Sequence, residues 1–248
     1  LFGELSSMST DRRINDVFCQ WPSRPRGLIE IIGGSYISIK PEVTYKRLIS
    51  GFLQRNFAIH AWSYIPNFDH QLQANQAWKE FRQSRKVLGQ RLGFIPKSMR
   101  LGHSLGCKLH LLAPDGGRNC DGFVAISFNN FQADKSIPML RKMSQKLNFQ
   151  TEFSPSPKET FNLIREHYEQ INNLLIKFKN DSLDQTNTLL KSLKGRNHDK
   201  SEIIRLDGNH LTPVSVGLKE QLLKSNFQSS SKYKKIELIV DQITNWKI

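Results

Sequence analysis

Short apolar runs alternate with longer amphipathic stretches along the first half of the chain. Leu28-Ile29-Glu30-Ile31-Ile32 is an almost unbroken apolar run that stops at Gly33-Gly34. That pattern predicts a strand buried on both faces and closed by a tight turn. Between Tyr45 and Gln54 the apolar residues Leu48, Ile49, Phe52 and Leu53 fall on one side of a helix. Phe57 to Trp62 reads as the next strand, and a long helical stretch follows from Asp69 to about Leu92. Ser98-Met99-Arg100-Leu101 is a short inner strand. Cys107 to Ala113 lacks Pro and Gly and reads as a helix start, and Gly122 to Ser127 is a further strand. Strands alternating with helices at this spacing predict a mostly parallel sheet covered by helices on both faces.

The rhythm breaks between residues 131 and 170. Ser136-Ile137-Pro138, a basic stretch through Lys146 and Ser154-Pro155-Ser156-Pro157 precede a helix at Glu159 to Tyr168. We expect a helical, cap-like insertion over 131–170 within one domain that spans 1–248, not a separate domain. Asn173 to Phe178 resumes the sheet and Glu202 to Leu206 ends it. Leu218 to Leu223 and Lys234 to Trp246 are expected closing helices, and loops 193–200 and 224–232 are polar. The sequence contains no internal repeat.

The chemistry concentrates between the inner strand and its helix, at Gly102-His103-Ser104-Leu105-Gly106. A G-x-S-x-G segment between strand and helix is a nucleophile elbow, in which flanking glycines let the backbone turn tightly around a strained serine. A serine hydroxyl needs a base to take its proton, usually a histidine whose tautomer is set by a carboxylate. In elbow-type hydrolases the order along the chain is Ser, acid, His, with the partners on loops at the carboxyl ends of strands.

Asp181 follows the strand ending at Phe178 and lies 77 residues past Ser104; His210 lies 29 residues further on, after the strand ending near Leu206. Asp181 is placed ahead of Asp184 because it is nearer the strand end, with Asp207 a third option. The other histidines fit less well. His103 sits inside the elbow with its side chain directed away from the serine's site, and His110 belongs to the next helix. His60 and His70 precede the serine, and His167 and His198 lie in a helix and a polar loop. The developing oxyanion also needs donors. The backbone N–H groups of Leu105 and of Ser35, in the turn after the first inner strand, are the expected pair.

A net charge of +14 narrows the partners. From Phe81 to Pro114 there are seven cations, Arg82, Arg85, Lys86, Arg91, Lys97, Arg100 and Lys108, and no acidic residue. The favoured reading is a solvated helix face. Attraction of an anionic substrate or a lipid surface comes second. No nucleic-acid motif accompanies the charge, so no nucleic-acid partner is expected. Cys19, Cys107 and Cys120 lack metal or C-x-x-C spacing and are expected as reduced thiols, with Cys107 a small buried residue behind the elbow. Neither a dinucleotide fingerprint nor a Walker pattern is present, and no metal or organic cofactor is expected. No apolar run reaches the length needed to span a bilayer. The opening residues carry no signal-peptide pattern, and because the sequence opens on Leu1 an upstream segment is allowed for.

Several segments together resemble a known family. They are Ile32-Gly33-Gly34-Ser35, Pro41 to Tyr45, Phe68-Asp69-His70, Gly102 to Lys108, Ser127 to Asn130, Phe153 to Pro157, Asn173 to Phe178 and Asn209 to Pro213. From about Arg24 onward the chain resembles the α/β-hydrolase superfamily. More narrowly it is similar to the domain-of-unknown-function family 1350 of cyanobacteria and plastids. The resemblance implies the α/β-hydrolase fold, a site at the carboxyl ends of the strands, and a cyanobacterial cytoplasm or plastid stroma as the location. It implies no substrate. Where the superfamily usually has His-Gly before the oxyanion loop, this chain has Gly33-Gly34, so that loop must be anchored differently.

The expected function is a serine hydrolase of esterase, lipase or thioesterase type. Ser104 would be the nucleophile, His210 the base and Asp181 its orienting acid. The substrate would be a small ester or thioester, anionic or lipid-like in character, with peripheral membrane contact through the basic surface. Phe131, Ile137, Met139, Leu140, Phe149 and Phe153 are candidate linings of an acyl pocket, or else simple packing of the cap. The alternative is a catalytically silent member of the fold that binds an acidic protein or a membrane surface.

Overall fold

The apolar runs form the inner strands of one sheet in the computed structural model, which describes residues 11–132, 152–215 and 226–246. In chain order the strands are β1 (Arg12–Ile14), β2 (Val17–Gln20), β3 (Gly27–Ile32), β4 (Phe57–Trp62), β5 (Ser98–His103), β6 (Gly122–Ile126), β7 (Asn173–Phe178) and β8 (Glu202–Leu206). Their order in the sheet is β1-β2-β4-β3-β5-β6-β7-β8. From β4 to β8 every pairing is parallel, with Ile31 of β3 opposite both Ala61 of β4 and Leu101 of β5. β1 and β2 add an antiparallel hairpin on the β4 side, which the pattern of apolar runs does not reveal. β1 is three residues long and partly exposed and β2 is four residues long and almost wholly buried, so neither is long enough to show a clear period.

The helices are α1 (Pro41–Thr44), α2 (Lys46–Gln54), α3 (His70–Leu92), α4 (Leu105–Leu111), α5 (Pro157–His167), α6 (Thr186–Lys194) and α7 (Asn226–Thr244). Strand side chains alternate faces, so each strand feeds two cores. Ile29, Ile31, Ile59, Leu101, Val124 and Ile176 pack under α2 and α7, against Leu48, Phe52, Ile239 and Val240. On the other face Leu28, Ile32, Ala58 and Trp62 meet α3 and α4. Phe123 and Leu175 meet α5 and α6 through Ile164, Leu189 and Leu193. The long helix is bounded as its sequence dictates. The Asp69 carboxylate caps the N–H of Leu72, and Gly93 ends the helix in the left-handed region. A capping box between Ser156 and Glu159 starts α5.

This is the α/β-hydrolase arrangement expected from the sequence. Of the insertion at 131–170, residues 133–151 lie outside the described residues, and so does the helix expected at 218–223. No helix among the described residues is long and apolar enough to cross a membrane. All three cysteines are free and buried, and burial pushes their thiols up.

The basic run from Phe81 to Pro114 is not simply a solvated face. Arg85 makes two hydrogen bonds, 2.6 and 2.5 Å, to the fully buried Glu30. Arg100 binds Asp115 in a bidentate pair at 2.8 and 2.6 Å, and Lys108 is buried as well. The physical reason is the alternation of strand faces: Glu30 and Arg100 point into the layer beneath α3 and must find partners there. Burial alone would raise the Glu30 and Asp115 carboxyls, but the guanidiniums outweigh it and hold both below the usual carboxylate range.

Four histidines occupy the interior. Burial pushes His60 down to about 4 and His70, His103 and His110 down to about 3, so all are neutral in the fold. The unfolded chain takes up protons on them below about pH 6.5, whereas the folded chain does not. Their stabilising contribution is therefore complete above that pH and declines as pH falls toward their folded values, at about 1.4 kcal/mol per pH unit for each proton taken up. The depressed carboxylates Glu30 and Asp115 add a second loss below about pH 4. Urea unfolding at a series of pH values is expected to give a stability that falls steadily from about pH 6.5 and collapses below about 4. Asp115→Asn, which removes the bidentate partner of the buried Arg100 guanidinium and leaves it only Glu30, 3.9 Å from its Nε and shared with Arg85, is expected to cost about 3 kcal/mol at pH 7.

Candidate active site

Ser104 occupies the turn between β5 and α4 with φ +57°, a left-handed conformation that non-glycine residues seldom adopt. Two close approaches hold it there. A Cβ on Gly106 would begin 1.9 Å from the carbonyl oxygen of Ile32, and one on Gly102 would lie 2.5 Å from the backbone of Cys107. Only glycine lets α4 sit this near the end of β3 and the elbow strand. The N–H of Leu105 is the first in α4, where no intrahelical acceptor exists.

The three side chains picked from the sequence meet at this turn. His210 Nε2 lies 3.0 Å from Ser104 Oγ, and His210 Nδ1 lies 2.9 Å from Asp181 Oδ2. The loops that carry them are zipped together: the N–H of Lys179 donates to the Leu206 carbonyl and that of Asn180 to the Gly208 carbonyl. Asn209 tightens the His210 turn, with its side-chain oxygen accepting from the N–H of Leu211 and its own N–H donating to Thr212 Oγ1. Burial would raise the Asp181 carboxyl, but His210, Ser127 and the N–H of Leu183 together outweigh it and the group lies below the ordinary carboxylate value. An ionised Asp181 fixes the proton on Nδ1 and leaves Nε2 free to accept from the serine.

The two alternative acids stand elsewhere. Asp184 pairs with Lys177 at 3.0 Å and accepts from the N–H and hydroxyl of Thr186, which fastens the start of α6. Asp207 pairs with Lys179 at the surface.

His103 is directed away from the serine oxygen, yet it is tied to the site. Its Nε2–H donates to the His210 carbonyl (2.9 Å), and its Nδ1 accepts from the Tyr45 hydroxyl (2.8 Å). Tyr45 in turn accepts from the N–H of Gly34 (2.9 Å). One buried chain of hydrogen bonds thus links the turn after β3 to the loop of His210. The Tyr64 hydroxyl donates to the Gly33 carbonyl and Ser38 Oγ to the Gly34 carbonyl. These contacts anchor the Gly33-Gly34 turn, which no histidine precedes, and Ser35 and Leu105 line one cleft.

Sequence reasoning missed Asn129. Its Nδ2 donates to Ser104 Oγ at 2.8 Å from the loop after β6. The hydroxyl therefore accepts from the amide while donating to His210, and its rotor is fixed. The only signal was Ser127-Phe128-Asn129-Asn130, which carries the family resemblance without disclosing a role. Phe131 and Phe153 line the cleft together with Leu105 and Asn129; Ile137, Met139, Leu140 and Phe149 lie outside the described residues. Among the described residues, no group of three His, Cys, Asp or Glu side chains could hold a metal ion.

Sheet order, helix layers and the position of the elbow define an α/β-hydrolase fold. Solved structures with the same architecture include carboxyl esterase 2 from the fungus Tuber melanosporum, with a TM-score of 0.59 at 16% identity over 91% of this chain and 80% of that one. They also include a Paleococcus ferrophilus monoacylglycerol lipase, with a TM-score of 0.56 at 13% identity over 91% and 98%. A butyrate-bound esterase from Thermogutta terrifontis gives 0.57 at 11% identity over 92% and 88%. At such identities the likeness concerns the fold. The chain belongs to the DUF1350 family of proteins of unknown function, which it matches over residues 11–241. No curated protein sequence matches it.

Tyr45→Phe keeps the ring but leaves the Gly34 N–H and His103 Nδ1 without their partner. Buried groups left unpaired cost about 1–3 kcal/mol. We expect a loss of that size in urea unfolding, and a crystal structure of the variant should show a shifted Gly34-Ser35 peptide.

Proposed function

We propose that this protein is a serine hydrolase that cleaves a small ester or thioester through an acyl-enzyme. The observation that supports it best is the continuous path from Asp181 through His210 to Ser104, with hydrogen bonds of 2.9 and 3.0 Å, at a strained elbow that opens on a cleft.

In this reading Ser104 Oγ attacks the acyl carbon while His210 Nε2 takes its proton. The carbonyl oxygen becomes an oxyanion held by the N–H groups of Leu105 and Ser35. The imidazolium, stabilised by Asp181, then gives its proton to the departing alkoxide or thiolate, and the C–O or C–S bond breaks. Water repeats the sequence on the acyl-enzyme: His210 removes its proton, the acid product leaves, and the proton returns to Ser104. Asn129 keeps the serine oxygen facing His210 before attack. Phe131 and Phe153 form the apolar wall for the acyl part, and the 131–170 insertion acts as a cap. Esterase and lipase neighbours of the same fold agree with this chemistry.

A fluorophosphonate probe is expected to label the wild type and Asn129→Ala, but not Ser104→Ala. Labelling of His210→Ala should fall by at least about a thousandfold, since members of such a relay fail together. Equal labelling of Ser104→Ala would overturn the nucleophile assignment, and an unlabelled wild type would favour the non-catalytic binding protein. On a nitrophenyl ester, Asn129→Ala is expected to lower kcat about three- to tenfold with little change in KM, the size of one neutral hydrogen bond.

A further inference from the structure

Lys108 stands on α4 one turn beyond Ser104, and its side chain is 1% exposed. A buried ammonium normally lies against a carboxylate. Here Nζ donates to the Pro155 carbonyl at 2.9 Å and lies 5.8 Å from the centre of the Phe153 ring. Its other two N–H groups have no partner among the described residues. Glu152 and Glu159 act on it only from a distance: Glu152 accepts from the N–H of Phe153, and Glu159 closes the capping box of α5. Lys108 nevertheless lines the same cleft as Ser35, Leu105 and Asn129, the last of which is hydrogen-bonded to Ser104 Oγ, so its unused donors border a space that reaches the elbow.

A second group points the same way. His70, 3% exposed, lines that cleft and stacks on Phe153 at 4.2 Å, and its buried Nδ1 has no hydrogen-bond partner among the described residues. Two buried polar side chains from α3 and α4 therefore meet across one aromatic ring, one with N–H donors to spare and the other with an unpartnered ring nitrogen.

We propose that Lys108, with His70 beside it, is a binding subsite for an anionic oxygen group, a carboxylate or phosphate, carried by the ester substrate a few bonds from the scissile carbonyl. The ester part of this proposal rests on the serine-hydrolase reading; the anion part does not. An arriving anion supplies the acceptors and the close counter-charge that the ammonium lacks among the described residues. Burial pushes the free Lys108 amine down to about 7, so a bound anion would also be what keeps it protonated at neutral pH. The purely structural alternative is that Lys108 only braces the segment at Pro155.

The test reads binding without turnover, on Ser104→Ala protein by calorimetry. The probes are monomethyl glutarate, methyl 3-phosphonopropanoate and the neutral dimethyl glutarate. We expect one of the two acids to bind about tenfold to hundredfold tighter than the neutral diester, the worth of a charge-assisted hydrogen bond, and which acid wins tells carboxylate from phosphate. Lys108→Met and Lys108→Gln, each added to Ser104→Ala, should collapse that ratio to near one. A brace would lower acid and neutral binding together and leave the ratio intact, which would overturn the proposal. So would an absence of acid preference in the Lys108-containing protein, a result that stands even if neither variant folds. Failure of fluorophosphonate labelling in the wild type would count against the hydrolase reading alone.

Discussion

The carbonyl oxygen of Ile32 fills the place where any side chain on Gly106 would have to begin. That contact brings α4 against the end of β3, and several features follow from it. It turns Ser104 through a left-handed backbone conformation at the start of α4. It also sets the turn after β3 beside the serine, so that two backbone segments distant in sequence face one cleft. An elbow of this kind is rigid because it is crowded, and the crowding is all backbone, which cannot be relieved by a change of rotamer.

The loops around the elbow are held by polar rather than apolar contacts. Gly34, Tyr45, His103 and the His210 carbonyl form a directional chain in which every donor has one acceptor. Such a chain requires a neutral imidazole with its proton on Nε2, and burial keeps His103 neutral. Satisfied buried networks of this sort specify one geometry, because any slip leaves a group unpaired in a low dielectric. Lys108 is the exception within the same layer. Glu30, Arg85, Arg100 and Asp115 answer one another, while among the described residues Lys108 has only a carbonyl.

Much of this was legible in the sequence. The runs at Leu28, Phe57, Asn173 and Glu202 are strands because unbroken or alternating apolar residues between turn signals leave few other ways to be buried. Ser104, Asp181 and His210 could be picked because each follows a strand end, and in a parallel sheet those ends converge. Asp184 lay only three residues from Asp181, and composition could not separate them; Lys177 and Thr186 do. Lys108 and Arg100 were read as solvated because charge density along the chain does not say which face of a helix or strand a residue occupies. Asn129 was hidden for another reason: an amide in a loop carries no periodicity, and its role appears only once the loop after β6 is laid over the elbow.

The hairpin of β1 and β2 has a bearing on how copies of this chain behave when concentrated. β1 is three residues long and two of them are Arg12 and Arg13, and at the opposite margin β8 exposes Glu202 and Arg205. A sheet whose described borders are brief and charged offers a poor template for a neighbour's backbone, and ammonium or guanidinium groups brought edge to edge repel. The same positive excess that makes the surface attractive to anions thus also discourages self-association through strand pairing, which would otherwise be a hazard for eight strands left open rather than closed into a barrel.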